Sequence, residues 1–409
     1  MKNAGDPTLL THNKHPRKRK DGKVNTSELE RKALRLEAVV ETKIVREHGM
    51  IPMFVRATDY ELPTAEDYQG AYRHRHLKGK TEEELGLPPM HVNRAWENTA
   101  TDTAYYLSAM AYKYRCTGDA KDLAICRRTF GALKFIYGLT AEKGERGRLC
   151  KPYGGVWSNQ SSGDQTQCVS WGLAAYRGIA PPEDLADYNT MIKEAADYNI
   201  QTEYIEPHGY FAWTPEELWD AIFGDEKWSK VYWSHGVIFV TQLHLAWQAS
   251  GDARFLGEVR RWYDACGLDE RPCGDTQRNL YLGSLMMELD PFNHEIWRSM
   301  MHGAFDGLGS RILLDGTSSH HIGRSAIDAM GCATAQRWFP DVDMTSIARH
   351  ILEKLGEDTF RFIRPGEKPA WAGADDTLEQ WAVESKLIDG DSLTAWLAAY
   401  WEGHWRECW

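Results

Sequence analysis

Two similar polar segments contain the carboxylates that could do chemistry in this chain. Gly163-Asp164-Gln165-Thr166-Gln167 reappears in altered form as Gly274-Asp275-Thr276-Gln277-Arg278. In both copies a second glycine, Gly172 or Gly283, follows nine residues after the first. An acidic residue before a periodic apolar run is typical of a capped helix N-terminus. The repeat therefore predicts two equivalent helices, with Asp164 and Asp275 at the same end of a helical array.

Asp164 is the candidate general acid. It follows a Gly-rich aromatic segment that could form a sugar subsite, Tyr153-Gly154-Gly155-Val156-Trp157-Ser158-Asn159-Gln160. A carboxyl beside aromatic walls loses the hydration of its charged form, which favours the protonated acid. The alternative is an ordinary helix cap. Asp275 has the same two interpretations, and the cap is favoured there because the preceding Arg271-Pro272-Cys273-Gly274 lacks aromatic residues.

Histidines supply the remaining candidates for proton transfer and anion binding. His235 follows Tyr232 and Trp233 at a predicted helix start, which makes it a third catalytic candidate. The segment Ser318-Ser319-His320-His321-Ile322-Gly323-Arg324 could hold a carboxylate through a bidentate arginine and hydrogen bonds. A metal site is disfavoured, because adjacent histidines point in different directions on a helix and no carboxylate follows at i+4. We expect neither a metal nor a cofactor.

Aromatic residues are unusually frequent, with seventeen tryptophans and eighteen tyrosines. They could fill the core of a large helical protein, or they could stack on the faces of sugar rings. Trp157, Trp213, Trp233 and Trp371 favour stacking, because each lies beside polar or glycine residues in a predicted loop. The candidate substrate-binding residues share a position at the start of a predicted inner helix or in an adjoining loop: Trp96, Glu97, Trp157, Gln167, Tyr232, Trp233, His320, His321, Arg324 and Trp371.

The elements that must position these residues are paired helices. From Trp96 onward the first helix of each pair is apolar nearly all round, and the second has a charged face. Alternating runs rich in Val, Ile and Thr are scarce. The pattern predicts an all-α (α/α)6 toroid over residues 26–409, with an outer helix from Ser27 and a last inner helix over about 375–385. Residues 1–25 form a predicted disordered arm, and the polar segment 49–92 a predicted lid.

Composition excludes several classes of partner. The formal charge of −11 argues against nucleic acid, and the basic cluster at 14–20 is typical of a solvated arm. No apolar stretch could cross a bilayer, and the N-terminus lacks an apolar signal core. The eight cysteines show no metal-like spacing. We therefore expect a cytoplasmic protein, or a periplasmic or secreted one if a signal has been removed, and a homodimer stays open.

Several of these motifs resemble the six-hairpin glycosidase superfamily, nearest the unsaturated glucuronyl hydrolases. The resemblance spans about residues 90–405 and rests on three features. These are the double Gly-Asp helix start, the hairpin turns Thr117-Gly118-Asp119 and Ser250-Gly251-Asp252, and Trp233-Ser234-His235-Gly236-Val237. It implies a carbohydrate-active pocket at the mouth of the toroid.

Function is then expected to be hydrolysis of an unsaturated glucuronyl residue in an acidic oligosaccharide, through hydration of its vinyl ether. A polysaccharide lyase would instead remove the C5 proton with His235 or a tyrosine. A retaining or inverting glycosidase would pair Asp164 with Asp275 or Glu97. A sugar epimerase using His235 and His321, and a non-catalytic glycan-binding protein, are further alternatives. Asp375-Asp376-Thr377-Leu378-Glu379 fits the magnesium motif of terpene synthases and is the most distant alternative.

Overall fold

The computed structural model describes residues 27–68, 88–204, 226–266, 278–311, 322–355 and 377–409, together with positions 360, 361, 366 and 368. At 226–236, 264–266, 307, 309–311, 322–324, 380 and 384 only the backbone is described. The predicted arm at 1–25 lies outside these ranges. None of the described helices is long and apolar enough to cross a membrane.

Nearly all regular structure in these ranges is helical. In chain order the helices are α1 (Glu28–Val39), α2 (Met90–Trp96), α3 (Thr99–Thr117), α4 (Ala120–Ala141), α5 (Gly163–Arg177), α6 (Pro182–Gln201), α7 (Glu226–Ser250), α8 (Arg254–Cys266), α9 (Asn279–Leu289), α10 (His294–Arg311), α11 (Ile322–Ala335), α12 (Met344–Lys354), α13 (Leu378–Trp381) and α14 (Gly390–Trp405). Two short strands, β1 (Phe54–Arg56) and β2 (Leu387–Asp389), pair antiparallel.

Six of these helices form a closed inner ring. α3 packs on α5, α5 on α7, α7 on α9, α9 on α11, α11 on α14, and α14 returns to α3. The apolar segments Ala104–Leu107 and Val237–Val240 are buried within it. Outside the ring α4, α6, α8, α10 and α12 each pack on an inner helix, and α1 packs on α14. This arrangement is an (α/α)6 toroid, so the predicted fold class is confirmed.

Local sequence signals explain where many of these helices begin and end. The Ser27 hydroxyl accepts a hydrogen bond from the Glu30 amide at 3.1 Å, which caps α1 as predicted. Gly118 (φ 65°) and Gly251 (φ 71°) adopt the left-handed conformation that ends α3 and α7. Asp119 and Asp252 then accept amides of the following turns, at 2.9 Å each. The two hairpin turns are therefore equivalent in structure.

The last hairpin differs from its prediction. Residues 375–385 do not supply the inner helix, because within them the described part contains only the short α13 and a single 3-10 turn. The inner helix is α14, and its outer partner is α1 from the other end of the chain. The apolar residues from Leu393 to Trp401 are buried on all sides, which only an inner position allows.

The predicted lid begins with core residues. Met50, Ile51, Met53, Phe54 and Val55 are buried, and β1 pairs with β2 directly before α14. Pairing to a strand at the far end of the chain removes these apolar side chains from water. Residues 69–87 lie outside the described residues, so a lid function there stays a prediction.

Candidate functional site

Asp164 and Arg278 face each other at one end of the ring. Inner and outer helices alternate along the chain from α3 to α14, so the inner helices run in the same direction and their N-termini share one end, here called the mouth. The Arg278 Nη1 lies 3.6 Å from the Asp164 Oδ2, and the two side chains are 14% and 45% exposed. The capping position of α5 is Ser162, so Asp164 lies inside the first turn. Arg278 is the residue before α9.

A buried hydrogen-bonded group lies close to this pair. The Tyr105 and Tyr281 hydroxyls are 3.1 Å apart, and the Cys168 thiol donates to the Tyr105 hydroxyl at 3.2 Å. Burial raises the pKa of Tyr105, Tyr281 and Cys168, while the Arg278 charge opposes that rise. All three groups therefore stay neutral at physiological pH. They therefore bring no charge near the guanidinium, and an ionic interaction in such a buried environment is screened less than in water.

Asp102 is the most strongly perturbed carboxyl at the mouth. It lies in the first turn of α3, is 0% exposed, and neither carboxyl oxygen has a hydrogen-bond partner among the described residues. Burial raises the pKa of Asp102 well above its usual range, and repulsion from Asp391 and Asp389 raises it further. Asp102 is therefore protonated under conditions where an exposed aspartate is charged.

The chain before β1 and the start of α14 explain this burial. A Cβ added to Gly390 would lie 2.6 Å from the Pro52 carbonyl oxygen and 3.1 Å from the Asp102 Oδ2. The Gly390 amide donates to the Met53 carbonyl at 2.7 Å. Only glycine allows this approach, which closes the backbone over the Asp102 carboxyl.

Asp389 and Asp391 are site residues that sequence reasoning missed. Asp389 accepts a short hydrogen bond from the Ser392 hydroxyl and is 2% exposed. Gly390-Asp391 repeats the Gly163-Asp164 motif, and both α5 and α14 begin at the glycine. This third Gly-Asp pair is a usable sequence signal, but the prediction of the last inner helix at 375–385 hid it. The predicted helix start at Asp275 is not observed, because α9 begins at Asn279 and residues 271–277 lie outside the described residues.

Other predicted residues serve the architecture around the mouth. Glu97 lies 3.3 Å from the Lys151 Nζ and 3.6 Å from the Arg94 guanidinium. The Gln165 amide donates to the Glu97 carbonyl at 2.6 Å, which ties the start of α5 to the end of α2. Trp96 and Gln167 are buried, at 7% and 6% exposure. Their roles in substrate binding stay predictions, because little of either side chain reaches solvent.

Two cationic side chains lie near the Trp157 ring. The ring lies 5.7 Å from the Lys143 Nζ and 5.9 Å from the Arg148 guanidinium carbon. Its indole nitrogen is buried and has no hydrogen-bond partner among the described residues. Cations already occupy positions near the ring, so a sugar would compete with them for its face.

The remaining candidates fall outside the described side chains. Asp275, His320, His321, Trp371, Trp213, Asp375 and Asp376 lie outside the described residues, and at Tyr232, Trp233, His235 and Arg324 only the helical backbone is described. The predicted helix start at Trp233 is wrong, since α7 begins at Glu226. His235 is therefore an interior residue of α7, nine residues after the helix begins. Among the described residues no cluster of His, Cys, Asp or Glu is arranged to hold a metal ion.

Comparisons with known proteins give likeness in structure alone. No protein-family model matches the chain, and no curated protein matches it. The solved structure of the cellulase Cel9M of C. cellulolyticum aligns with a TM-score of 0.46 and 10% identity, over 76% of this chain and 84% of that one. The cellobiose 2-epimerase from Bacillus thermoamylovorans B4167 aligns with a TM-score of 0.45 and 13% identity, over 74% and 87%.

Proposed function

We propose that this chain is a carbohydrate-active enzyme that hydrolyses an unsaturated glucuronyl residue at the mouth of the toroid. The observation that carries the proposal is the Asp164–Arg278 ion pair, whose carboxylate is 45% exposed while its arginine is backed by neutral buried groups. Arginine recognises carboxylates through parallel hydrogen bonds. The carboxylate of an acidic sugar would accept these hydrogen bonds from Arg278.

Substrate binding converts Asp164 into the acid. Without substrate, Arg278 balances the charge of Asp164 at 3.6 Å. A uronate carboxylate that binds Arg278 brings a second negative charge to the same place. Two carboxylates that share a site cannot both stay ionised easily, so one takes up a proton. In this proposal Asp164 acts as the proton donor once an acidic sugar is bound.

Hydration of the vinyl ether needs one carboxyl group that first donates a proton and then accepts one. Asp164 gives its proton to the vinyl-ether carbon of the C4–C5 unsaturated uronate, and water adds at C5 while Asp164 accepts a proton from that water. The hemiketal that results opens and releases the neighbouring sugar. Asp164 ends in the state in which it began.

Asp102 adds no negative charge to the mouth in this proposal, because burial keeps it protonated. Because Asp102 is 0% exposed, it meets no substrate directly. Its protonated form removes one negative charge from the mouth, since it is buried beside Asp389 and Asp391. Arg278 and Asp164 are the substrate-contacting pair in this proposal.

The experiment is a screen of unsaturated disaccharides from several acidic polysaccharides, followed by mass spectrometry and by absorbance at roughly 235 nm, where the conjugated uronate absorbs. Hydration lowers the absorbance and adds the mass of water before the sugars separate. A polysaccharide lyase would raise the absorbance on saturated polymers, and a glycosidase would cleave saturated disaccharides without changing it. Either result would replace the proposed reaction.

A further inference from the structure

The opposite end of the ring contains a cavity of about 340 Å³. It lies where the inner helices end, because its walls include Arg115 of α3, Gly178 after α5, Glu288 of α9 and Trp405 of α14. The mouth lies at the starts of the same helices. The cavity is therefore separate from the Asp164 site, and the proposed reaction does not use it.

Arginines dominate its charge. Arg115, Arg337 and Arg406 line the cavity with a single acidic residue, Glu288. With Glu402, which pairs with Arg406 from outside the lining, three arginines stand against two glutamates, a formal charge of +1. Arg337 pairs closely with Glu288, and the Arg406 Nη2 lies 3.9 Å from the same carboxylate. Arg406 is held further by Glu402 at 2.7 Å. Arg115 has no acidic neighbour in the lining.

The excess positive charge affects Arg337. Burial lowers the pKa of Arg337, and repulsion from Arg406 lowers it further. Cations are stable near helix C-termini, which contributes to their presence here. Of the three, however, only Arg115 donates to a helix-end carbonyl, that of Ala175 at 3.0 Å. Arg337 and Arg406 instead pair with the carboxylates of Glu288 and Glu402.

Flat apolar surfaces alternate with these cations. The Arg115 guanidinium lies 5.0 Å from the Trp405 ring centre, and Arg337 lies 4.6 Å from that of Trp338. Gly178 makes room for this arrangement, because a Cβ there would lie 2.4 Å from the Arg115 Nη2. Aromatic walls with a few converging polar groups are typical of small-molecule sites, and 340 Å³ lies at the small end of their range.

We propose that this cavity binds a monosaccharide-sized organic anion, with its carboxylate or phosphate on Arg115 and Arg337. Both anionic groups accept the paired hydrogen bonds that a guanidinium offers. Carboxylate and phosphate are the two sources of this chemistry.

Isothermal titration calorimetry on the full chain with four probes tests the proposal: glucuronate, glucose 6-phosphate, inorganic phosphate and glucose. We expect an acidic sugar to bind, glucose not to bind, and the affinity to fall as salt rises. Whichever acidic sugar binds more tightly identifies the anionic group. Binding must persist in Arg278→Met, since that variant removes the proposed anion site at the mouth. If no acidic sugar binds better than glucose, or if Arg278→Met abolishes binding, the proposal is wrong.

Two substitutions in the cavity should change the affinity for the acidic sugar in opposite directions. Arg115→Gln should weaken binding about 10-fold or more, the scale of one charge-assisted hydrogen bond. Glu288→Gln should strengthen it several-fold, because it removes the one negative charge of the lining. The matched control is Arg177→Gln at the end of α5, whose guanidinium bonds to Gln248 outside the cavity. Unchanged affinity in both cavity variants, with melting curves like the parent protein, would overturn the assignment.

Discussion

Arg278 reaches from the start of α9 to Asp164 in the first turn of α5, with 3.6 Å between the guanidinium and the carboxylate. In the repeated sequence motif Arg278 occupies the position of Gln167, which is buried in α5. Two copies of one sequence motif thus supply different parts of one pair, a carboxylate from the first and a cation from the second. The divergence of the repeat, more than its similarity, produces the candidate site.

Asp164→Asn should abolish turnover of the unsaturated disaccharide while affinity stays within a few-fold of the parent protein. The amide keeps the shape of the side chain but cannot donate an acid proton, so kcat should fall by at least ~10²–10⁴. Steady-state kinetics with parallel binding measurements checks this. Asp343→Asn, at the exposed cap of α12, is the control. Full activity in Asp164→Asn would show that the residue is structural.

Arg278→Met should mainly weaken substrate binding, and it should also change the pH dependence of kcat. The loss of the guanidinium removes the contact to the uronate carboxylate, so KM should rise strongly. Because Asp164 also loses its cationic neighbour, the pH dependence of kcat should shift as well. Arg254→Met, whose exposed guanidinium pairs with Asp197, should leave both unchanged. A variant with a normal KM for the acidic substrate would remove Arg278 from the site.

The buried Asp102 should make the free energy of unfolding fall as pH rises. Its pKa in the folded protein is raised, so between the ordinary value near 3.8 and the raised value the folded state binds more protons than the unfolded state. In that window stability declines by up to about 1.4 kcal/mol per pH unit. Asp102→Asn does not titrate, so its stability relative to the parent protein should rise with pH.

Urea unfolding at several pH values from 4 to 8 measures that difference. Asp343→Asn supplies a contrast of opposite sign, since hydrogen bonds from Ser346 hold the pKa of Asp343 below its usual range. The contribution of Asp343 is complete above its unfolded pKa, so the difference for Asp343→Asn should stay constant over pH 5–8. A constant difference for Asp102→Asn as well would mean that Asp102 is not protonated in the folded protein.

Gly172→Ala should destabilise the ring where α5 meets α3. A Cβ at Gly172 would lie 2.4 Å from the Ala104 carbonyl oxygen, so the two helices would have to separate. Overpacking of this kind costs ~1–3 kcal/mol. The control is Gly131→Ala in α4, where a Cβ meets nothing within 4 Å and should stabilise the helix by about 0.5–1 kcal/mol. Equal melting temperatures for the two variants would contradict the close helix contact.

Lys113→Met should loosen the outer helix α1. The Lys113 Nζ lies 2.5 Å from Glu37 of α1 and 2.9 Å from Asp122 of α4, with all three side chains largely buried. Removing the cation leaves two buried carboxylates facing each other, which costs about 3–5 kcal/mol. Lys134→Met, which breaks an exposed pair with Asp187, should cost less than about 1 kcal/mol. Denaturant unfolding of both variants compares the losses.

The sequence by itself determined the class of fold and many helix boundaries, because those depend on local physics. The periodicity of apolar residues, the Ser27 cap and the Gly118 and Gly251 turns act within a few residues of chain, and each is present in the structure as predicted. Asp164 at a helix start follows from the same local signal.

Tertiary structure decided which carboxyl group is buried and neutral and which one is exposed and paired with a cation. Asp102 and Asp164 are both aspartates in the first turn of an inner helix, and nothing local distinguishes them. One is sealed by backbone from Pro52 and Gly390, distant along the chain, while the other remains exposed beside Arg278. The identity of α14 as the last inner helix likewise depends on α1 and α3 packing against it. Burial and charge pairing arise between residues far apart in sequence, so only the closed ring determines which acid is neutral and which is paired.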